Sequence, residues 1–330
     1  MQDNILYSVR DLTVAYNTRA GSVVAVDNIS MDLRRGEILG LVGESGCGKS
    51  TLGKALLRLH VGPAEIKSGE LLLEGRDLMQ LSDLDMTHVR GAELGMIFQD
   101  PMTSLNPVQR IIDHITETIL THKPVSEEEA EERAEELIEL LGIRSERLLD
   151  YPHQMSGGMR QRVMISLALA LRAKLVVADE PTTSLDVIVE AKFLDLLKNL
   201  QKEFDLTILL ITHNIGVVAE VSDRVAVMYA GKIVEVGDIS HVFLNPKHPY
   251  TQGLLNSVPN IEIDDEELYQ MEGMPPNLLD PPQGCRFHPR CPYAMEICGR
   301  KEPALATLEG KQNAACYLYD EVAPVEVNRG

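Results

Sequence analysis

The chain has 330 residues, of which 44% are hydrophobic, so it is long enough for about two globular domains with a buried core. Its 31 basic and 50 acidic residues give a net charge of -19, which argues against nucleic acid as a partner. No apolar run approaches the roughly 20 residues that span a bilayer, and the first residues do not form a signal peptide. We therefore expect a folded protein that stays in the cytoplasm.

The first part of the chain has the pattern of a sheet that leads into a buried strand. Residues 4–33 alternate between apolar and polar types, which predicts antiparallel strands with one solvated face. The next segment, 38–42, is a short continuous apolar run, which is typical of a buried parallel strand. It leads into a glycine-rich turn and a helix that we expect to begin near Lys49.

The glycine-rich turn, GESGCGKST at residues 43–51, matches the phosphate-loop pattern G-x-x-x-x-G-K-[ST]. Its glycines allow backbone N–H groups to surround phosphates, and the following helix N-terminus adds positive potential. Lys49 is expected to reach the β- and γ-phosphates of ATP, and Ser50 to ligate Mg²⁺. The residues predicted to bind the nucleotide here are Gly43, Ser45, Gly46, Cys47, Gly48, Lys49, Ser50 and Thr51, with Cys47 as a small filler residue.

Residues 107–171 have a helical pattern, which is clearest in the segment SEEEAEERAEELIELLG. Ser126 and Glu129 have the spacing of a capping box, so we expect a helix to begin there. The apolar positions that follow recur on one face, and Gly142 is expected to end the helix. The many glutamates predict a solvated opposite face.

After this region, strand and helix patterns alternate, which predicts a parallel sheet covered by helices. The first strand pattern, LVVAD, ends at Asp179 and Glu180, where sheets of this type gather ligand groups. Asp179 is suited to contact Mg²⁺ directly or through water, and Glu180 to polarise an attacking water. An apolar strand followed by two acidic residues is weak evidence for a nucleotide site when it occurs alone. It becomes strong evidence when a phosphate loop occurs earlier in the same chain.

The segment MSGGMRQRVMISLALA, whose Ser156 lies 23 residues before Asp179, resembles the signature of the ABC ATPase family. Gln99 resembles the Q-loop of that family, residues 184–186 the D-loop, and His213 the H-loop. A lone histidine after a strand is usually structural, so no single match would be sufficient. Together with the phosphate loop and the strand before Asp179, they follow the order of the family across residues 40–215.

The resemblance implies the ABC ATPase fold, which is of the α/β class. This fold has a RecA-like phosphate-loop core on a parallel sheet, an antiparallel β-subdomain and an α-helical signature subdomain. We assign residues 1–250 to this nucleotide-binding domain, with the helical subdomain at about 100–172. We expect residues 251–330 to form a small, loop-rich C-terminal domain that contains cysteines.

Members of the family act as head-to-tail dimers, which implies that one chain cannot complete the ATPase reaction alone. The resemblance implies catalytic roles for Glu180, His213 and Gln99, and it implies that Gln99 also contacts Mg²⁺. Tyr16 resembles the aromatic residue that stacks on adenine, although an ordinary strand tyrosine is an alternative. The residues expected to contact the nucleotide of the opposite subunit are Ser156, Gly157, Gly158 and Asp186.

Two residues depart from the usual motifs, and one of them marks a branch of the family. Met159 replaces the glutamine that commonly follows the signature glycines, as in peptide-importer subunits. Asn214 stands where many relatives have aspartate, and it removes a charge near the D-loop. Residues 247–255 and the segment PPNLLDPPQGCRFHPRCPYAMEIC also resemble the C-terminal extension of dipeptide and oligopeptide importer ATPases.

This resemblance implies a peripheral protein on the cytoplasmic face of the cell membrane. Its partners would be a second, non-identical ATPase subunit, two transmembrane permease subunits and, indirectly, an external peptide-binding protein. The same branch also imports nickel and other small solutes, which is one alternative. A soluble ABC ATPase is a further alternative, opposed by the single cassette and the acidic charge. A degenerate regulator is opposed by the presence of Lys49, Asp179, Glu180 and His213.

Four cysteines, Cys285, Cys291, Cys298 and Cys316, lie in the last fifth of the chain and predict a metal site. Their spacing lacks the C-x₂-C pairs of structural zinc, whereas an iron–sulfur cluster accepts irregular loops. We therefore expect a [4Fe-4S] cluster, with zinc as the alternative and disulfides third because the compartment is reducing. His288 is expected to be a surface residue.

Overall fold

The computed structural model describes residues 4–59, 63–183, 185–257, 271–308 and 312–319. The strands in these ranges are β1 Ile5–Thr18, β2 Gly21–Arg34, β3 Ile38–Val42, β4 Ala64–Leu73, β5 Arg76–Asp77, β6 Leu94–Ile97, β7 Leu175–Asp179, β8 Thr207–Thr212, β9 Arg224–Tyr229, β10 Lys232–Asp238, β11 Ala306–Thr307 and β12 Asn313–Ala314.

The α-helices of the described ranges are α1 Lys49–Leu56, α2 Asp83–Ala92, α3 Pro101–Ser104, α4 Ile111–His122, α5 Glu127–Leu140, α6 Gly157–Leu169, α7 Val187–Phe204, α8 Ile215–Val221, α9 Ile239–Leu244 and α10 Pro249–Asn256. Short 3₁₀ segments lie at Leu78–Gln80, Ser145–Leu149, Pro152–Gln154, His288–Arg290, Glu296–Gly299 and Tyr317–Tyr319. Within the part of the chain described, no helix is long and apolar enough to cross a membrane.

The chain forms two compact units, of which the first comprises Met1–Ser8, Asp32–Ile38 and Leu71–Ile211. In this unit, β7 pairs in parallel with both β6 and β8. All residues of β6 and β7 are buried, as are those of β8. The continuous apolar patterns of these strands therefore correspond to burial on both faces of the sheet.

Helix α5 of the first unit begins and ends where the sequence pattern predicts. The Ser126 hydroxyl accepts a hydrogen bond from the Glu129 N–H at 3.2 Å, and the Glu129 carboxylate accepts one from the Ser126 N–H at 2.8 Å. These reciprocal bonds satisfy donors that the first helical turn leaves without partners. Gly142, just beyond the helix, has φ +72°, a conformation that glycine adopts without strain.

The second unit comprises Val9–Met31, Leu39–Glu70 and Thr212–Gly330. Here β9 pairs in parallel with β3 and antiparallel with β10. Strand β12 pairs with β10 and with β11, so a short strand of the C-terminal region extends the sheet. Strands β2, β1 and β4 are neighbours, in that order, in a second sheet. The two-residue connection between β1 and β2 makes these strands antiparallel, as predicted.

The C-terminal region of the second unit is anchored on the hairpin formed by β9 and β10. Glu235 of β10 is completely buried, and its carboxylate accepts hydrogen bonds from the N–H groups of Lys247 and His248 at 2.7 and 2.9 Å. The Gln312 side chain donates a third bond at 2.5 Å. Three donors offset the cost of burying this carboxylate. The cysteine-containing region is therefore fixed by contacts that local sequence patterns do not reveal.

Candidate functional site

The phosphate-loop segment 43–51 connects β3 to α1 in the second unit, as the sequence predicts. A Cβ atom on Gly43 would lie 2.1 Å from the Met228 carbonyl oxygen, so no larger residue fits there. Gly48 has φ +108°, and a Cβ atom there would lie 2.1 Å from the Ala25 carbonyl oxygen. The backbone therefore passes close to β9 and to β2, and both approaches require glycine.

Lys49 is the first residue of α1, and its ammonium group lies across the loop. The Nζ atom donates hydrogen bonds to the carbonyl oxygens of Gly43 and Glu44 at 2.8 and 3.0 Å. Cys47 is buried beneath the loop, and burial raises the pKa of its thiol. A neutral buried thiol agrees with the interpretation of Cys47 as a filler residue.

Tyr16 lies beside the same loop, because its hydroxyl is 2.9 Å from the Thr51 hydroxyl. Contact with adenine stays a prediction for this residue. His213 lies between β8 and α8, and it is exposed. The next residue, Asn214, caps α8, since its side-chain oxygen accepts a hydrogen bond from the Gly216 N–H at 3.0 Å. Asparagine caps a helix as well as aspartate does, so this departure keeps the local structure.

Gln99 and Glu180 are brought together in the first unit. The Gln99 side-chain amide donates a hydrogen bond of 3.0 Å to the Glu180 carboxylate. The Thr183 hydroxyl donates a second bond to the same oxygen at 3.0 Å, a contact that no sequence pattern indicated. Glu180 has φ +45°, which is uncommon for a residue with a side chain, and the preceding Asp179 is buried. The carboxylate is therefore held in a defined position at the end of β7.

The signature segment begins α6, as predicted. Ser156 is the N-cap, and its hydroxyl accepts a hydrogen bond from the Met159 N–H at 3.3 Å. A Cβ atom on Gly157 would meet no atom of the described residues within 4 Å, so this position faces open space among them. Asp186 caps α7 in the same way, accepting from the Val189 N–H at 2.9 Å.

The signature and the D-loop meet at one surface cavity of about 450 Å³ in the first unit. Its lining includes Ser156, Gly157, Gly158, Leu185 and Asp186. Ser184, the first D-loop residue, lies outside the described residues. The N-terminus of α6 gives this cavity positive potential, which is suited to an anion.

The four C-terminal cysteines are free thiols that line one apolar cavity in the second unit. Burial raises the pKa of Cys291 to about 11 and that of Cys316 to about 12, and the neighbouring thiols add to both shifts. The pKa of Cys285 is also raised by burial. Without a metal these shifts favour the neutral thiols, and a metal would have to displace their protons.

The cavity does not have the arrangement of a single-ion site. No group of three or more His, Cys, Asp or Glu side chains in the described ranges could hold a metal ion. His288 is half-buried and lines the same cavity, and its Nδ1 lies 2.9 Å from the Cys285 carbonyl oxygen. His288 therefore lies beside the four thiols, where its ring contacts the backbone of Cys285.

Comparison with known proteins first defines the class. Residues 26–183 match the family described as ABC transporter, and residues 234–298 match the one described as oligopeptide/dipeptide transporter, C-terminal region. A dimeric post-hydrolysis state of an ATP-binding cassette, bound to ADP and Pi, is 26% identical with a TM-score of 0.64, covering 71% of this chain and 99% of that one. The cbiO1 protein of Clostridium perfringens is 29% identical with the same TM-score, covering 74% and 92%. The fold and motifs define an ABC-type ATPase.

Relatives of nearly equal length then define the family. The oligopeptide transport ATP-binding protein OppD of Bacillus subtilis is 48% identical over 97% of this chain and 90% of the relative. The dipeptide transport ATP-binding protein DppD of the same organism is 45% identical over 98% and 97%. Escherichia coli OppD is 44% identical over 97% and 96%. The chain belongs to the ATP-binding subunits of the oligopeptide and dipeptide ABC transporter family, and the resemblance found in its sequence is confirmed.

Proposed function

We propose that this chain hydrolyses ATP to energise the import of dipeptides or oligopeptides. The match of residues 234–298 to the oligopeptide/dipeptide C-terminal region carries this proposal, because the ABC segment alone is common to many transporters. The names of the full-length relatives support it, since they state oligopeptide or dipeptide transport. The residues that discriminate this branch therefore lie mainly outside the nucleotide motifs.

The phosphate loop is proposed to bind the ATP phosphates through its backbone N–H groups and Lys49. The ammonium group already bonds to two loop carbonyls, so the cation is held within the loop that would receive the phosphates. Ser50, Asp179 and Gln99 are the proposed Mg²⁺ contacts, and Mg²⁺ would neutralise charge that develops on the phosphates. Tyr16 is proposed to stack on adenine, which its bond to Thr51 supports.

Glu180 is proposed to polarise the water that attacks the γ-phosphate. A new bond forms between the water oxygen and phosphorus while the bond to the ADP oxygen breaks. The contacts to Gln99 and Thr183 support this role, because both donate to one carboxylate oxygen and orient the group. His213 is the proposed H-loop residue of the same reaction.

The signature and D-loop are proposed to act on a nucleotide bound by a second, non-identical ATPase subunit. The residues assigned to this role are Ser156, Gly157, Gly158 and Asp186. The open space at Gly157 supports the assignment, because a phosphate could approach the helix N-terminus closely there. The assembly would also contain two permease subunits, with an external peptide-binding protein delivering the solute.

This assembly would place the chain at the cytoplasmic face of the membrane as a peripheral subunit. The acidic net charge of -19 supports the absence of a nucleic-acid partner. We also propose that the chain consists of two domains, a nucleotide-binding domain at residues 1–250 and a C-terminal domain at residues 251–330. The support for this division is the change to proline-rich sequence after residue 246 and the short 3₁₀ segments found there.

The four cysteines are proposed to bind a [4Fe-4S] cluster. Each thiolate of such a cluster binds a different iron, so the ligands need not converge on one centre as four zinc ligands must. The support for the cluster over zinc is the spacing of the cysteines, which lacks the C-x₂-C pairs of structural zinc, and the four thiols line one cavity. The cluster would contribute mainly to stability by joining segments that have little regular structure.

Uptake of labelled solute into proteoliposomes tests the transport function. The vesicles would contain the permease subunits, both ATPases and the external binding protein. We expect ATP-dependent accumulation of dipeptide or oligopeptide, and none when this chain carries Lys49→Ala and its partner carries the matching change. Accumulation of nickel without any peptide would overturn the peptide assignment while leaving the ATPase role intact.

A further inference from the structure

The phosphate loop carries an acidic side chain that its motif does not require. Glu44 occupies a free position of the G-x-x-x-x-G-K-[ST] pattern. A carboxylate in this loop would repel the phosphates of ATP unless its charge were compensated. Arg290 supplies that compensation, because its Nη1 and Nη2 atoms donate to the two carboxylate oxygens of Glu44 at 2.9 and 3.0 Å.

Arg290 is itself held in a fixed orientation. Its side chain is only 6% exposed, and its Nε atom donates to the Glu272 carbonyl oxygen at 3.0 Å. The guanidinium group lies 5.8 Å from the ring centroid of Tyr229 and 5.9 Å from that of Phe287. A planar guanidinium held in this way makes two parallel bonds to a carboxylate, which a lysine cannot reproduce.

The backbone of Glu44 is held from the same region of the second unit. Its N–H donates to the Tyr250 hydroxyl at 2.9 Å. Tyr250 is completely buried, with its ring 4.6 Å from Tyr229 and 5.5 Å from Phe287 between centroids. Both the backbone and the side chain of Glu44 are therefore fixed by residues that lie more than 200 positions later in the chain.

We propose that Arg290 is a positioning residue for ATP binding, acting through Glu44 on the phosphate loop. This inference rests on the proposed role of the loop in binding ATP. Arg290 neutralises Glu44 and orders the loop before the nucleotide arrives, so less binding energy is spent on ordering it. Because Arg290 acts on the loop through Glu44 and not on the phosphate that reacts, its loss should weaken ATP affinity and leave the maximal rate unchanged.

The test compares ATP affinity and turnover in the full chain. We expect Arg290→Ala to raise the ATP dissociation constant and KM on the order of tenfold, with kcat of the assembled transporter within about twofold of the original. Arg300→Ala is the matched control, because Arg300 lies in the same region, is 75% exposed and pairs with Glu296 on the surface. Arg300→Ala should leave the ATP dissociation constant, KM and kcat unchanged.

Lys49→Ala separates the inference from the function on which it rests. If Lys49→Ala abolishes ATP binding while Arg290→Ala binds within about twofold of the original chain, the positioning role is wrong and the loop assignment stands. If Lys49→Ala binds ATP normally, the loop assignment itself is wrong.

A second pair of variants covers the case in which Arg290→Ala does not fold. Arg290→Lys keeps the charge but loses the paired geometry, and we expect it to weaken ATP binding roughly threefold. In a chain that already carries Glu44→Gln, Arg290→Lys should not weaken ATP binding further, because the carboxylate that Arg290 neutralises is absent. Equal effects in the two backgrounds would overturn the proposal.

Discussion

The phosphate loop and the cysteine-containing region lie in the same compact unit but are ordered in different ways. The turn of the loop is set by its local sequence, since a buried strand enters it, its glycines permit the turn, and α1 follows directly. Distant residues add further contacts, such as those of Arg290 and Tyr250 to Glu44. The described residues 271–308 have only short 3₁₀ segments and a two-residue strand. Side-chain contacts with distant residues, such as the bond between Arg290 and Glu44, therefore decide their position.

This difference predicts that changes at the nucleotide residues will alter rates without altering the fold. Replacement Glu180→Gln has the largest expected effect, because it removes the charge that polarises water but keeps the shape of the side chain. ATP hydrolysis should fall on the order of 10²- to 10⁴-fold while ATP binding is retained. Steady-state ATPase assays with a separate measurement of nucleotide binding would check this.

The control for this variant is Glu136→Gln on α5. Glu136 is 67% exposed and pairs with Arg133 on the surface, so neither binding nor turnover should change. Hydrolysis at the normal rate by the Glu180→Gln chain, with its partner subunit inactivated, would show that the role assigned to Glu180 is wrong.

Gly157 tests whether the signature serves a second subunit. In the part of the chain that the structure describes, the methyl group of Gly157→Ala would have no atom within 4 Å, so the fold should be retained. Hydrolysis by the mixed complex should nevertheless fall on the order of a hundredfold, because a methyl group would keep phosphate from the helix N-terminus. The isolated chain should bind ATP but hydrolyse it slowly, with or without the substitution.

Light scattering under assay conditions would establish the state of each sample. A strictly monomeric chain that hydrolyses ATP as fast as the complex would contradict the shared mechanism. So would a Gly157→Ala complex that retains the normal rate.

His248, in the anchored C-terminal region, predicts a pH effect on stability. Burial lowers the pKa of its imidazole to about 3, whereas the unfolded chain has an ordinary value near 6.5. The unfolded state therefore binds the proton first as pH falls, and stability is lost from about pH 6.5 downward. The loss should be roughly 2 kcal/mol at pH 5 relative to pH 7.5, about a thirtyfold change in the unfolding equilibrium.

Urea unfolding at the two pH values would measure this loss. Replacement His248→Asn keeps an acceptor for the Tyr250 N–H, which the histidine Nδ1 now accepts at 3.1 Å, and should flatten the pH dependence. His241→Asn is the control, because His241 is about half exposed and should leave the dependence unchanged. An identical pH dependence in the His248→Asn chain would show that another group is responsible.

The cysteines give the smallest expected effect on rates. Anaerobically purified protein should be brown, with broad absorbance near about 400 nm and about four irons per chain. Replacement Cys291→Ser should remove the iron and increase proteolysis of the C-terminal region on the order of tenfold, because a local constraint is lost. ATP binding should be retained.

Cys47→Ser is the control for iron content, since Cys47 does not line the cavity of the four cysteines. A colourless preparation with one zinc per chain would show that the iron–sulfur assignment is wrong and that these cysteines bind zinc. Metal affinity should also fall as pH falls, because protons compete for thiols whose pKa values are raised.

Local patterns predicted much of the fold from the sequence. Strand β3 occupies the expected residues, α1 begins at Lys49, and Ser126 and Glu129 form the expected capping box. Each of these depends on neighbours a few residues apart. Local patterns do not reveal the buried acceptor Glu235 in β10, because its partner Gln312 lies 77 positions away. The burial of a carboxylate such as that of Glu235 can be recognised only when the three-dimensional packing is known.

The nucleotide residues were predictable for the same reason, since family motifs keep chemical groups at fixed local spacing. The contacts that support them were not predictable. Thr183 follows the acidic pair closely, but nothing in its spacing shows that its hydroxyl bonds to Glu180. Arg290 lies among cysteines and prolines, where no periodic pattern relates it to a loop 246 positions earlier.

The most direct test of the account is ATP hydrolysis by the assembled transporter with and without peptide-loaded binding protein. We predict that peptide-loaded binding protein stimulates hydrolysis, and that Glu180→Gln in this chain lowers the stimulated rate sharply while nucleotide binding persists. Hydrolysis that is indifferent to the loaded binding protein, or stimulation that survives Glu180→Gln with the partner ATPase inactivated, would contradict the account.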